Sequence, residues 1–337
     1  MENNIKKESN IECVNRISSE LRRTYEYTAG YNENGYYLLD FPDHANVGDS
    51  AIWVGEEIVL NEIDDRDAIK TSLVDDKDIP KIKADTIIYL HGGGNFGDIW
   101  PAHQNYRNNV LKNFKNNPVV QLPQSIHFEN HDNIKETADA IKGHPNFTLL
   151  VRDNESFEFA NKHFECQTIL CPDSAFAIGP LNRTVPIKYD VLLLLRTDKE
   201  TKFGNSKVSV PNNWHICDWL DDDPNMFKTA LWKVRIDAIK SFNISEFSKA
   251  RREFNYYNTL ANMRVKRGLD LLSRGKIIIT DRLHVHILST LLGIPHIVLD
   301  NNYQKIKRFS NAFNTSWDGV HWASTIEEAI ELAKTIV

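Results

Sequence analysis

The sequence predicts an α/β protein with two Rossmann-like parallel-sheet domains that face each other across a cleft, and three observations support this fold class. Its 337 residues are enough for about two domains of ordinary size. Short apolar runs alternate with amphipathic segments of helical length, without an internal repeat. The runs lack polar and apolar alternation, which is typical of parallel strands covered by helices on both faces.

The first half of the chain carries five predicted strands and a helix between the first two. The strands are Tyr36–Phe41, Asp85–Leu90, Pro118–Leu122, Phe147–Val151 and Thr168–Leu170, and the helix runs from about Ser50 to Asn61. A stretch with Gly179, Pro180 and Pro186 then interrupts the pattern. We therefore predict an N-terminal domain over residues 1–182 and a C-terminal domain over 183–337.

The second half carries three predicted strands, Asp190–Leu195, Lys276–Thr280 and His296–Asp300. Helices are predicted over Asn225–Lys240, over Tyr256–Ser273 and from Thr325 to the C-terminus, where Thr325 and Glu328 fit a capping box. The last helix could pack back on the N-terminal domain. The segment from Arg196 to Pro224 has only weak periodicity and receives no assignment.

Composition narrows the class of protein. Forty basic and 46 acidic side chains give a net charge of −6, which argues against a nucleic-acid-binding surface. The four cysteines form neither a CxxC pair nor a disulfide framework, so a reducing, cytoplasmic location is expected. No signal peptide is predicted, and Gly293 and Pro295 interrupt the longest apolar tract, so any membrane contact would be peripheral.

Ligand chemistry is expected in strand-to-helix loops, because open α/β sheets bind ligands beyond the carboxyl ends of their strands. In the first such loop, PDHANVGDSAIW, Asn46, Asp49 and Ser50 lie where the first helical amides are unpaired, and Gly48 permits a tight backbone. Asp49 or Ser50 could simply cap the helix. The alternative is that Asp49 binds a hydroxyl or acts as a base.

The second loop, HGGGNFGDIWPAHQNYR, fits GxGxxG through Gly92, Gly94 and Gly97. A dinucleotide site is not predicted, because the next strand ends in QLPQ and offers no carboxylate to the ribose. The exposed amides favour an anionic or hydroxyl-rich group, unless the glycines only form a tight turn. Downstream, Trp100, His103, Gln104 and Arg107 suit a sugar that stacks and accepts hydrogen bonds, although Trp100 could merely pack.

The remaining loops carry cations at strand ends. Arg152 precedes Asp153 and offers a planar fork for a carboxylate or phosphate, although an Arg152–Asp153 surface pair or a cap by Asp153 would also explain it. The string DRLHVH places Arg282 and His284 where a helix begins. A metal site is not predicted, because His284 and His286 are two residues apart and point to different helix faces. Lys305, Lys307 and Arg308 crowd near Tyr303, and one of them could complete an anion pocket.

The ordered set NVGD, HGGGNFGDIWPAHQNYR, PQS, VRD, CPDSAF, DRLH and NYQKIKRF resembles the polysaccharide pyruvyl transferase family, from about Asn46 to Phe309. The NFGDIWPAHQNYR segment resembles exopolysaccharide-type members. The resemblance implies a GT-B-like fold and transfer of the pyruvyl group of phosphoenolpyruvate to two sugar hydroxyls as a cyclic ketal, with phosphate released. Phosphoenolpyruvate is then a co-substrate, and no cofactor or metal is expected. Acceptors of the family include galactose, mannose, glucose and N-acetylmannosamine, and whether this acceptor is lipid-linked stays open.

The resemblance also implies roles for single residues. Donor binding falls to Arg152, Arg282, Leu283 and Lys305, with Lys307 as the rival of Lys305. His284 is expected to protonate the methylene carbon, or else to bind phosphate, and Asp49 is preferred to Asp98 as the base. The expected acceptor-binding residues are Asn46, Gly93, Gly94, Asn95, Asp98, Trp100, His103, Gln104 and Arg107.

Two other functions remain open at this point. A glycosyltransferase of the same architecture would use a nucleotide sugar instead of phosphoenolpyruvate. A non-catalytic carbohydrate-binding or assembly protein would keep the cleft without the chemistry, but it would have little use for Arg152, Arg282 and His284 together.

Overall fold

Eleven parallel strands form two sheets in the part of the chain that the structure, a computed structural model, describes: residues 8–29, 32–66, 68–74, 82–197, 210–240, 249–300 and 304–337. The first half contains α1 (Asn10–Ala29), β1 (Tyr36–Leu39), α2 (Val47–Ile63), β2 (Ile87–Leu90), β3 (Gly93–Gly97), α3 (Pro101–Asn113), β4 (Val119–His127), α4 (His131–Lys142), β5 (Phe147–Val151), α5 (Asn154–His163), β6 (Gln167–Leu170) and a 3-10 helix (Ser174–Ile178).

The second half contains β7 (Tyr189–Leu194), β8 (Trp214–Cys217), α6 (Pro224–Lys240), α7 (Lys249–Ser273), β9 (Gly275–Thr280), α8 (Leu283–Leu291), β10 (His296–Leu299), α9 (Lys305–Phe313), β11 (Val320–Ala323) and α10 (Ile326–Ile336). None of the described helices is long and apolar enough to cross a bilayer.

Both sheets are parallel throughout, which confirms the predicted fold class. The first has the order β1-β2-β4-β5-β6, with β3 paired to the far end of β4, and the second has the order β11-β10-β9-β7-β8. Central strands such as β5 are buried along almost their whole length, in agreement with their unbroken apolar sequence. The GT-B-like arrangement stays a prediction.

β4 is longer than the sequence predicts, because it continues past Leu122 to His127. Its pairing with β5 shifts in register between Gln121 and Gln124, and this irregularity accommodates Pro123, which has no N–H to donate. The extra length pairs with β3 and so fixes the glycine-rich loop on the sheet.

Several elements fall outside the sequence predictions. β8 lies in the segment left unassigned, and α7 begins seven residues before Tyr256, at Lys249. α10 packs on β9, β10 and β11 and not back on the N-terminal domain, because Ile326, Ala329 and Ala333 bury their side chains against the second sheet.

The halves are joined by packing as well as by the linker. α2 packs along α7, where Trp53 Nε1 donates to Asn258 Oδ1 at 2.6 Å, and their apolar side chains belong to one core cluster. The unpredicted α1 adds a second bridge, since Arg16 of that helix donates to the Phe313 carbonyl at 3.0 Å at the end of α9. The carboxyl ends of strands from both sheets therefore face one another in a fixed arrangement.

Candidate active site

A cavity of about 430 Å³ lies where the carboxyl ends of the two sheets meet. We call its N-terminal side the first wall, formed by Pro42, His44, Asn46, Asp49, His91, Gly94, Asn95, Trp100, His103 and Arg152. We call its C-terminal side the second wall, formed by Arg196, Trp219, Leu220, Arg282, Leu283, His284 and Lys305. Two cavities of similar size beside α6 and α7 contain none of the predicted site residues.

Arg152 and Lys305 bring one cation from each half to the same point. Arg152 follows β5 and is 2% exposed, with Nε donating to Ser125 Oγ at 3.1 Å and Nη1 paired to Asp173. A Cβ built on Gly94 would lie 3.1 Å from Arg152 Nη2 and 3.4 Å from Lys305 Nζ. Glycine at this position therefore keeps a side chain out of the space beside the two cations.

Arg196 and Arg282 lie at the topological switch point of the second sheet, where β8 and β9 flank β7 on opposite sides. The Arg196 amide donates to Asp281 Oδ1 at 2.8 Å, and Arg282 Nη2 donates to Asp218 Oδ2 at 2.7 Å. Burial raises the pKa of Asp281 to about 6. Two more guanidinium groups thus reach the second wall from neighbouring strands.

His284 is held between the two halves by Asp173 and Gly48. Its Nε2 lies 3.4 Å from Asp173 Oδ2, the oxygen that also pairs with Arg152. Burial would raise the pKa of Asp173, but His284 and Arg152 outweigh it and hold that pKa below its usual range. A Cβ on Gly48 would collide with His284 Nδ1, so the imidazole needs glycine at the start of α2.

Asp49 lies in the first turn of α2, but the N-cap of this helix is Asn46, whose Oδ1 accepts from Gly48 N at 3.1 Å. Neither Asp49 nor Ser50 therefore caps the helix. Asn46 Nδ2 donates to Asp49 Oδ2 at 2.8 Å, and His44 Nε2 lies 3.5 Å from the same oxygen. Burial raises the pKa of Asp49, but His44 and His284 in particular lower it below its usual value.

Among the described residues, four histidine–carboxylate pairs surround the cavity, and most of their members were not predicted from the sequence. They are His44–Asp49, His91–Glu56, His103–Asp40 and His284–Asp173, with N–O distances of 3.5, 2.7, 3.0 and 3.4 Å. One signal was available for Glu56, because it lies two helical turns after Asp49 on the same face of α2. Asp173 stands in the quoted CPDSAF motif, but nothing local to it points to Arg152.

Three of the predicted acceptor residues, Asp98, Gln104 and Arg107, do not reach the cavity. Gln104 Oε1 accepts from Gly97 N at 2.9 Å and from Arg107 Nη1 at 2.7 Å. Arg107 is 2% exposed and donates through Nη2 to Asn95 Oδ1 at 3.0 Å. Asp98 accepts from the Asn130 amide at 2.8 Å, before α4. These groups fix the loop that presents Asn95.

Most of the other predicted site residues line the cavity. Asn46, Asp49, Gly94, Asn95, Trp100, His103, Arg152, Arg282, Leu283, His284 and Lys305 line the cavity. Gly93 lies behind the lining, where a Cβ would meet Ile52 and Asp49. Lys307 is exposed and does not line the cavity, and Tyr303 lies outside the described residues.

His286 is buried between His296 and Thr315, at 2.7 Å from each. Within the described residues, no group of three or more histidine, cysteine, aspartate or glutamate side chains could hold a metal ion.

The chain matches the family model described as Polysaccharide pyruvyl transferase over residues 46–303. It is 30% identical to "Pyruvyl transferase 1" of Schizosaccharomyces pombe, over 95% of this chain and 80% of that protein. It is also 30% identical to "Putative pyruvyl transferase EpsO" of Bacillus subtilis, over 86% of this chain and 88% of that protein. A crystal structure of a functionally uncharacterized Klebsiella pneumoniae protein has a similar fold, with a TM-score of 0.58, 18% identity and coverage of 90% of this chain and 95% of that chain.

Proposed function

The chain belongs to the polysaccharide pyruvyl transferase family, and we propose that it transfers the pyruvyl group of phosphoenolpyruvate to two hydroxyls of one sugar, with release of phosphate. The acceptor would be a polysaccharide or its lipid-linked precursor. The observation that carries the proposal is the convergence of Arg152 and Lys305, one from each half, on one point above Gly94, beside His284.

The donor is small and anionic at two ends, so it needs several fixed cations within a few ångströms of one another. Arg152 and Lys305 would hold one anionic end, and Arg282 the other, with Arg196 beside it. A hydrogen bond to a charged group contributes about 1.5–3 kcal/mol. Three such bonds allow roughly micromolar to sub-millimolar affinity after ordering costs. The N-termini of α2, α8 and α9, which open onto the cavity, would add about 0.3–1 kcal/mol each.

His284 would act as the acid in the first step. It donates a proton to the methylene carbon, the double-bond electrons form the new C–H bond, and C2 becomes an oxygen-stabilised cation. Asp173, ionised beside it, stabilises the imidazolium form. A sugar hydroxyl then bonds to C2, the C–O bond to phosphate breaks with its electrons on phosphate, and the second hydroxyl closes the ketal. Of the two hydroxyl protons, one restores His284 and the other leaves with phosphate.

The first wall suits a sugar. Trp100 is 43% exposed at the start of α3 and offers its ring for stacking. Asn46, Asp49 and Asn95 supply amide and carboxylate groups for hydroxyls, and His103 adds an imidazole held by Asp40. In this arrangement the acceptor would approach the donor from the N-terminal side of the cavity.

Mass spectrometry of a panel of glycosides incubated with phosphoenolpyruvate tests the reaction class. A gain of one pyruvate less one water, unchanged by a chelator, is the expected product. Thermal-shift measurements provide an independent test, in which phosphoenolpyruvate stabilises the protein and nucleoside diphosphates do not. Stabilisation by a nucleoside diphosphate alone would instead support a nucleotide-sugar glycosyltransferase and overturn the proposal.

A further inference from the structure

His91 and Glu56 form a buried, hydrogen-bonded pair in the first wall that the proposed chemistry leaves unused. His91 is 2% exposed and Glu56 is fully buried, with 2.7 Å between Nδ1 and Oε2. Glu56 Oε1 also accepts from Gly92 N at 2.8 Å, so the carboxylate is fixed by two bonds. A buried charge held this firmly orients the imidazole in one position.

The other ring nitrogen of His91 has no such partner. Nε2 is buried and makes no hydrogen bond to any described residue, although His91 lines the cavity. With Glu56 on Nδ1, that nitrogen carries the proton in the neutral ring, and Nε2 is left as an acceptor. A hydroxyl placed in the cavity would supply the missing bond.

The charges around Asp49 and His91 decide which of them accepts a proton more readily. His44, His284 and His91 help to lower the pKa of Asp49, which makes its carboxylate a weak base. Burial would lower the pKa of His91, but the charge and hydrogen bond of Glu56, with smaller effects from Asp40 and Asp49, raise it above its ordinary value. A base works best when its pKa is near the working pH, which favours His91.

We propose that His91, oriented by Glu56, accepts the proton of the sugar hydroxyl that attacks C2, while Asp49 binds and orients that hydroxyl. The O–H bond breaks as the C–O bond forms, and the proton moves to Nε2 and from there to the departing phosphate, which leaves the ring neutral for the next turnover. This assignment rests on the proposed function and replaces Asp49 as the preferred base.

The test is the pH profile of kcat/KM for the glycoside that gains mass in the panel. The wild type should lose activity as the pH falls through the raised pKa of His91, because the protonated ring cannot accept a proton. E56Q keeps an oxygen for Gly92 N–H but removes the charge, so its acidic limb should move to lower pH. H91Q should lower kcat at least 100-fold, a typical loss for a general base, while calorimetry still detects phosphoenolpyruvate binding. The matched control, H131Q, changes an exposed histidine at the start of α4 and should behave as wild type.

Two outcomes would overturn the assignment without affecting the proposed function: near-wild-type turnover by H91Q, or a wild-type profile without an acidic limb above the ordinary pKa of histidine, about 6.5. The second needs no variant and holds even if H91Q fails to fold. Absence of phosphoenolpyruvate binding to the wild type would instead defeat the proposed function.

A separate observation concerns the outer face of α6. Met226, Ala230 and Val234 bury one side of this helix against the core. The opposite side exposes large apolar residues, with 36% of Phe227, 45% of Leu231, 64% of Trp232 and 76% of Ile239 accessible. Helical spacing places exposed Lys228 and Arg235 on the same side.

We propose that this face of α6 docks on an anionic lipid surface. Apolar and aromatic side chains mixed with cations are typical of helices that lie in the membrane interface. A symmetric contact with a second copy would instead bring Lys228 and Arg235 against their own counterparts or near them, which is unfavourable. The local positive charge, on a chain with net charge −6, complements anionic headgroups.

Sedimentation with phosphatidylglycerol vesicles tests this proposal, with phosphatidylcholine vesicles as the reference. The wild type should bind the anionic vesicles and be released by high salt, and W232S should bind at least tenfold more weakly. W322S removes an exposed tryptophan on β11, on the second sheet, and should bind as wild type. Equal binding by W232S and wild type, or a wild-type dimer that W232S dissociates, would overturn the proposal.

Discussion

The two walls of the cavity differ in how their charges are balanced. In the first wall, three histidines each contact a carboxylate of the same half: His44, His91 and His103. The second wall brings Arg196, Arg282 and Lys305 to a space where Asp49 is the only carboxylate among the described lining residues, while Asp218 pairs with Arg282 from outside the lining. Apart from Arg152 and His284, which each act together with the opposite wall, the first wall is suited to moving protons and binding hydroxyls, and the second to holding an anion. This difference predicts that substitutions in the two walls change different kinetic and binding constants.

The largest effect is expected from D173N, because Asp173 contacts Arg152 of the first wall and His284 of the second. The substitution leaves the guanidinium of Arg152 buried without its counter-charge, which costs about 3–5 kcal/mol of stability. The pKa of Asp173 is lower in the folded state than in the unfolded state, so its ionised form stabilises the fold. This contribution to the free energy of unfolding is complete above the ordinary pKa of aspartate, about 4, and is lost as the pH falls through the folded-state pKa. Thermal unfolding should show a gap between D173N and wild type at pH 7 that narrows in acid. A constant gap would contradict this account.

The next largest effect is expected from G48A, which changes the contact between Gly48 of the first half and His284 of the second. The new Cβ would collide with His284 Nδ1 and displace the imidazole. A shift of about 1 Å in a catalytic group can cost roughly 100-fold in rate. We expect kcat to fall by that factor, with calorimetric affinity for phosphoenolpyruvate nearly unchanged. G143A, at the helical C-cap of α4, is the matched control, and equal kinetics of the two variants would argue against the collision.

K305A tests the anion-binding character of the second wall. Removal of one charged hydrogen bond of about 1.5–3 kcal/mol should weaken phosphoenolpyruvate binding roughly 10- to 150-fold. K307A removes an exposed lysine two residues away and should leave the affinity unchanged. Calorimetry on both variants decides which of the two lysines binds the donor. Loss of affinity in K307A but not in K305A would make Lys307 the donor ligand.

The smallest effect is expected from W100A in the first wall. Loss of aromatic stacking, worth about 0.5–1.5 kcal/mol, should raise the KM for the glycoside only a few-fold to tenfold. The KM for phosphoenolpyruvate should stay constant, because Trp100 belongs to the wall opposite the cations of the second half. Steady-state kinetics with each substrate varied in turn measures the two KM values separately. A rise in both would contradict the separate roles of the two walls.

The sequence allowed prediction of those site residues that directly follow a strand. Arg152 follows β5 and Arg282 follows β9, and parallel topology brings such positions to one edge. Prediction was weaker inside helices, since the sequence around Gln104 and Arg107 does not say which face of α3 turns toward the cavity. Asp173 could not be assigned from local patterns, because His284 lies in the other half. For Glu56 the position on the same helix face as Asp49 was a signal, but its partner His91 is 35 residues away.

The core shared by the two halves limits how this enzyme can be rebuilt. Trp53 of α2 packs near Phe254 of α7, with ring centroids 6.3 Å apart, so the apolar interior does not end at the linker. A chimera that borrows its C-terminal half from a relative with another acceptor would pair two surfaces that never evolved together. The exchanged half already contains α7, so the side of α2 that faces α7 should be exchanged together with it.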